Sequence, residues 1–81
     1  MELDVRGTPG WQISEYLRSL GGIEKADGTF AGRGWSAVLT VGQFRTMGTS
    51  VPRVLIQLDG EAGAVSTVAS ALRLRVMRVG G

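Results

Sequence analysis

Histidine and cysteine, the side chains that most often move protons or attack as nucleophiles at neutral pH, do not occur in this chain of 81 residues. Without an imidazole or a thiolate, the usual acid/base pairs, thiol nucleophiles and transition-metal ligand sets cannot be assembled. Ser14, Ser36 and Ser66 have no histidine to take their protons, which excludes a conventional serine-hydrolase triad. Asp4, Glu15, Glu24, Asp27, Asp59 and Glu61 fall at strand edges, exposed helix faces, turns and a cap, and read as solvated carboxylates rather than an acid/base pair. The expectation is a protein that is not an enzyme and calls for no metal or cofactor.

Binding chemistry is what remains. Eight of the nine basic residues are arginine, whose planar fork suits carboxylates and phosphates, and the formal net charge is +2. No acid follows Glu61, so Arg73, Arg75 and Arg78 make the final segment basic, which reads first as a solvated helix end complementing the helix dipole. Glycines surround Arg33, but no phosphate-loop spacing is present, and a tight turn is the better account. The segment Arg33-Gly34-Trp35-Ser36-Ala37-Val38-Leu39-Thr40 resembles the central strand of RNA-recognition domains, where rings on an open sheet stack on bases. Trp35 matches one aromatic position, whereas Ala37 and Thr40 stand where further rings belong, so nucleic-acid binding is expected to be weak at best. The last residues, Val79-Gly80-Gly81, resemble the tail of ubiquitin-like sulfur carriers, which is threaded into an activating enzyme that adenylates the terminal carboxylate.

The elements that must position these groups are short. Eighty-one residues make one domain, which buries about 60% of the surface its unfolded chain would expose, so the core is small and self-association is one way to complete it. The start Met1-Glu2-Leu3-Asp4 is acidic where a signal peptide would be basic, and no apolar run is long enough for a membrane span, so a cytoplasmic protein is expected. Leu3 and Val5 alternate with Glu2, Asp4 and Arg6, which predicts a strand ending at Gly7. Thr8 as cap and Pro9 in the first turn open a helix over roughly 9–20, with Ile13, Leu17 and Leu20 on one stripe beside Tyr16 and Gly21-Gly22 as the stop.

Asp27-Gly28 predicts a hairpin near 23–32, and Gly32-Arg33-Gly34 a second turn. Over 35–41, Trp35, Ala37, Leu39 and Val41 share the expected core face; the strand continues past a bulge at Gly42 through Phe44 to about Arg45. Met47-Gly48-Thr49-Ser50 turns the chain, Pro52 starts the next strand, and Val54, Ile56 and Leu58 alternate with Arg53, Leu55 and Gln57 over 53–58. After Asp59-Gly60-Glu61, the stripe Val65, Val68, Ala69, Leu72 and Val76 predicts a helix to about residue 77; an edge strand over 72–78 is the alternative. The expected class is α+β: strand, helix, three or four antiparallel strands, helix, with both helices on one sheet face.

The first strand, Pro9 with Trp11, Tyr16-Leu17, Gly21-Gly22, Gly28, Gly34, Gly48, Pro52, the strand 53–58, Gly60-Glu61 and the basic, glycine-ended helix together resemble a known family over nearly the full length. It is the small C-terminal domain of some proteins related to the molybdopterin synthase small subunit, the MoaD-related proteins. That resemblance implies a TATA-binding-protein-like fold with a curved antiparallel sheet, and brings no catalytic residues. The chain lacks the ubiquitin-like carrier domain of its two-domain relatives, so a free-standing module is expected. It would dock a protein partner of molybdenum-cofactor or sulfur-carrier biochemistry, or an anionic small molecule, through whichever of Trp11, Arg33, Trp35, Phe44 and Arg45 are exposed. For the aromatics among them core packing is the competing reading.

Overall fold

A computed structural model of the chain describes residues 1–80, with side chains through residue 76. The elements run β1 (Glu2–Arg6), α1 (Gly10–Ser19), β2 (Ile23–Ala26), β3 (Thr29–Gly32), β4 (Trp35–Thr46), β5 (Thr49–Gly60) and α2 (Ala62–Gly80). The five strands form one open sheet in the order β1-β5-β4-β3-β2, with every neighbouring pair antiparallel. This is the expected α+β arrangement, with four strands between the helices. Among the described residues no helix is long and apolar enough to cross a membrane.

One face of the sheet carries the core. Rows of apolar side chains run across it, Leu3 beside Ile56 and Leu39, and Val5 beside Val54 and Val41. Ile13 and Leu17 of α1 and Val65, Val68, Ala69 and Leu72 of α2 pack down onto that face with Phe30, Trp35, Ala37 and Leu58. The same spacings that define the helical stripes therefore put both helices on one side. α2 is a continuous helix, which excludes the edge-strand alternative for 72–78, and it runs beyond the expected end near 77 to Gly80. Gly81 lies outside the described residues, and with it the end of the expected Gly80–Gly81 tail.

Several local expectations are corrected. Thr8 does not cap α1: it is buried, and Pro9, extended at φ −70° and ψ 156°, is the N-cap without a side-chain bond. Gly42 makes no bulge, because β4 and β5 pair without interruption from Trp35 opposite Gly60 to Thr46 opposite Thr49, and Gly42 sits in register with Arg53. The irregularity is in β2, between Glu24 and Ala26. Thr49 and Ser50 belong to β5, since a two-residue turn at Met47 (φ 52°) and Gly48 (φ 78°) suffices to reverse the chain with the twist that hairpins favour. Pro52 thus lies inside a strand. It is tolerated because its backbone faces β1: its carbonyl accepts from the Gly7 N–H at 2.9 Å, and no β4 hydrogen bond needs its missing donor. Val41 shares the core face but is 63% exposed, because the helices end short of the two-stranded arm that β4 and β5 form beyond it.

The two hairpin ends differ in what they tolerate. Gly60 combines φ 132° with a backbone so close that an added Cβ would stand 2.8 Å from the Trp35 Cα, whereas a Cβ on Gly48 meets nothing within 4 Å. Gly60→Ala should therefore destabilise far more than Gly48→Ala, whose cost is the left-handed conformation alone, about 1 kcal/mol. Ile56→Ala, at a fully buried position, should cost about 2–5 kcal/mol. Urea denaturation midpoints of the three variants measure the order.

Candidate binding surfaces

The five residues expected to form a surface do not come together. Trp35 is 7% exposed and belongs to the core, so it leaves the list of contact residues. Its indole lies against Gly32 and Gly22, and a Cβ on Gly22 would approach the ring Cη2 to 2.7 Å. The ring can turn inward because those positions have no side chains. Ser36, Val38 and Thr40, the outward positions of the segment likened to RNA-recognition domains, carry no ring, so that segment offers no stacking platform. Arg33 is exposed in the two-residue turn before Trp35, at the mouth of a cleft of about 640 Å³ that Glu61 and Thr67 of the α2 end also line.

Phe44 is half-buried on the helix-free face, at the far end of the sheet from Arg33. The Arg6 guanidinium covers its ring at 4.7 Å. Arg6 and Arg53 stand directly opposite each other across β1 and β5, an arrangement that repels unless neutralised. Asp4 neutralises it: Arg53 donates to both carboxylate oxygens at 3.0 and 2.9 Å, and Arg6 reaches the same group at 3.5 Å. The Arg53 hydrogen bond, with the charges of both arginines, holds the Asp4 carboxyl below the usual range, and the hydrogen bond and negative charge of Asp4 in turn push Arg53 up. This trio was missed from sequence, although the alternation of Glu2, Asp4 and Arg6 against Leu3 and Val5 already placed it on the polar face.

A second surface lies on the helix side. Trp11, 70% exposed in the first turn of α1, borders a cleft of about 590 Å³ with Ser14, Leu39, Val41, Glu24 and Asp27. Arg18 donates to Glu24 at 2.7 Å and the Gly28 N–H donates to the same carboxylate at 3.3 Å, and together they hold the Glu24 carboxyl down. Arg45 is exposed on the arm beyond this cleft. At the other end of α1, Arg75 lies over the Tyr16 ring at 5.4 Å, so part of the basic C-terminal segment is used in packing α2 against α1. Among the described residues no group of three or more acidic side chains gathers as a metal site would require.

Residues 1–81, the whole sequence, match the family model described as archaeal MoaD-like protein. The chain belongs to that family. No curated protein matches it. In this archaeal MoaD-like protein, then, the accessible chemistry is arginine, tryptophan and carboxylate, distributed over two faces of the sheet.

The paired carboxylates set its response to acid. Asp4 and Glu24 both titrate lower when folded than unfolded, so the stability they contribute is present above the unfolded value near 4 and is lost as pH falls through the depressed folded values. Thermal midpoints should hold from neutral pH to about 5 and fall steadily below about 4. Asp4→Asn should flatten that fall and lower the midpoint at neutral pH, because Arg6 and Arg53 then face each other without a counter-charge.

Proposed function

We propose that this archaeal MoaD-like domain is a non-catalytic binding module of molybdopterin or sulfur-carrier biochemistry, working in a cytoplasmic setting. It docks a partner protein or an anionic small molecule through exposed arginines at the ends of the sheet, Arg33 and Arg45. Family membership supports a sulfur-carrier or molybdopterin-related role. The observation that favours a module over a carrier is the route of the chain. The β-grasp carriers open with two strands and reach their Gly-Gly tail through a strand, whereas here α1 follows β1 directly and α2 leads to Gly80. The order strand, helix, four strands, helix also supports the TATA-binding-protein-like reading.

The second reading is a carrier that uses Gly80-Gly81, favoured by the family itself and by the last residues of the sequence. Incubation with ATP and a carrier-activating enzyme of the same organism separates the two. Mass spectrometry should show neither an adenylate nor the mass gain of sulfur replacing oxygen. Either product, disappearing on deletion of Gly81, would make the domain a carrier.

Nucleic acid is a poor fit for either reading. Affinity for single-stranded RNA should be weak and fade toward about 150 mM salt, as expected when a few arginines meet phosphates without stacking. Submicromolar binding at that salt concentration would contradict the proposal.

A further inference from the structure

The arm of the β4–β5 hairpin extends beyond its neighbours on both sides: beyond β1 only Ser50, next to Pro52, faces outward from β5, and the longer unpaired stretch is on β4. β3 accompanies β4 only as far as Val38, and the Leu39 N–H donates to the Gly28 carbonyl at 2.7 Å. Because β4 is regular, the N–H and C=O groups that point the same way as those of Leu39 are those of Val41, Gln43 and Arg45, where no strand among the described residues pairs. Nothing in the local sequence guards this edge as edges usually are guarded: Thr40 to Thr46 holds no proline and a single charge. Beside it lie three exposed apolar side chains, Trp11, Val41 and, at the hairpin tip, Met47, which is 98% exposed.

We propose that two copies of this chain pair through this edge, β4 antiparallel to β4, about a two-fold axis at Phe44. Sterics and charge select that register. An axis at Gln43 would bring the second copy's Met47 opposite Leu39, a place Gly28 already holds, and an axis at Gly42 would require the same place for Arg45. An axis at Arg45 would set the two Arg45 side chains directly opposite each other, which is unfavourable. With the axis at Phe44, Gln43 faces Arg45 of the second copy, so each pair exchanges backbone hydrogen bonds. Gly42 faces Thr46, and the two Phe44 rings meet as a cross-strand aromatic pair on the helix-free face, each already covered by its own Arg6. Met47 of each copy comes opposite Val41 of the other, beside the cleft that Trp11 borders, so the most exposed apolar groups cover one another. The occupant of the edge is thus a second copy, matched to it in register and apolar contact.

Sedimentation equilibrium over a concentration series tests this. The wild-type chain should shift from 8.6 kDa to twice that mass as concentration rises. Gln43→Pro removes an outward donor without touching the β5 ladder and should weaken association at least tenfold. Met47→Asn should also weaken it several-fold while leaving or raising the thermal midpoint of the dilute monomer, because asparagine before glycine suits the turn at φ 52°. Hydrogen exchange adds a reading that misfolding cannot imitate. Amides of Gln43 and Arg45 should gain protection with concentration, whereas those of Gly42 and Phe44, bonded to β5, should be protected throughout. A chain that stays monomeric at a concentration on the order of 1 mM overturns the proposal. So does a dimer indifferent to both substitutions, or edge amides whose exchange ignores concentration; a strand from another protein would then be the candidate for this edge.

Discussion

The indole of Trp35 is buried in the core and lies against the backbone of two glycines, and several segments of the chain meet around that contact. Gly22 at the end of α1 and Gly32 at the end of β3 lie against the ring, Gly60 at the end of β5 lies against the Trp35 backbone, and the Gly34 carbonyl beside it accepts from Glu61 at 2.8 Å as α2 begins. Trp35 thereby lies where the ends of α1, β3 and β5 and the start of α2 meet. In a domain this small, where each buried aromatic is a large share of the core, such a contact replaces the disulfide or metal that comparable scaffolds use.

The cost falls on function: the largest aromatic of the sheet is unavailable to a ligand. What the surface offers instead is self-neutralised. Arg6, Arg53 and Asp4 satisfy one another, Arg18 holds Glu24, and Arg75 lies on Tyr16. A partner that engages the helix-free face must accommodate an existing ion-pair network rather than find a bare positive patch.

Periodicity made most of the architecture legible. The stripes Ile13–Leu17 and Val65–Leu72 and the alternation through Val54, Ile56 and Leu58 are long enough to define period and face, and they place both helices correctly. Short-range chemistry was harder. Pro52 reads as a strand start because proline cannot donate, yet which side of the strand needs that donor depends on where β1 ends, a tertiary fact. Gly42 reads as a bulge only until the uninterrupted register with β5 is seen. Thr8 has the chemistry of a cap and the position of a core residue. Among the site residues, burial of Trp35 followed from its sharing a face with Leu39, but the pairing of Arg6 with Phe44 joins residues far apart in sequence and could not be read from either one.

Pro52 has one more consequence. The outer margins of the sheet are β1, five residues with charges at Glu2, Asp4 and Arg6, beyond whose end β5 turns Pro52 outward, and β2, four residues that include Glu24 and Lys25. Short, charged or proline-blocked margins resist extension, so the recess beside Val41 is the one unguarded stretch among the described residues. A strand added there consumes it, and an isologous contact consumes it in both partners at once. In the proposed pair, growth would stop at a closed dimer instead of propagating into a filament.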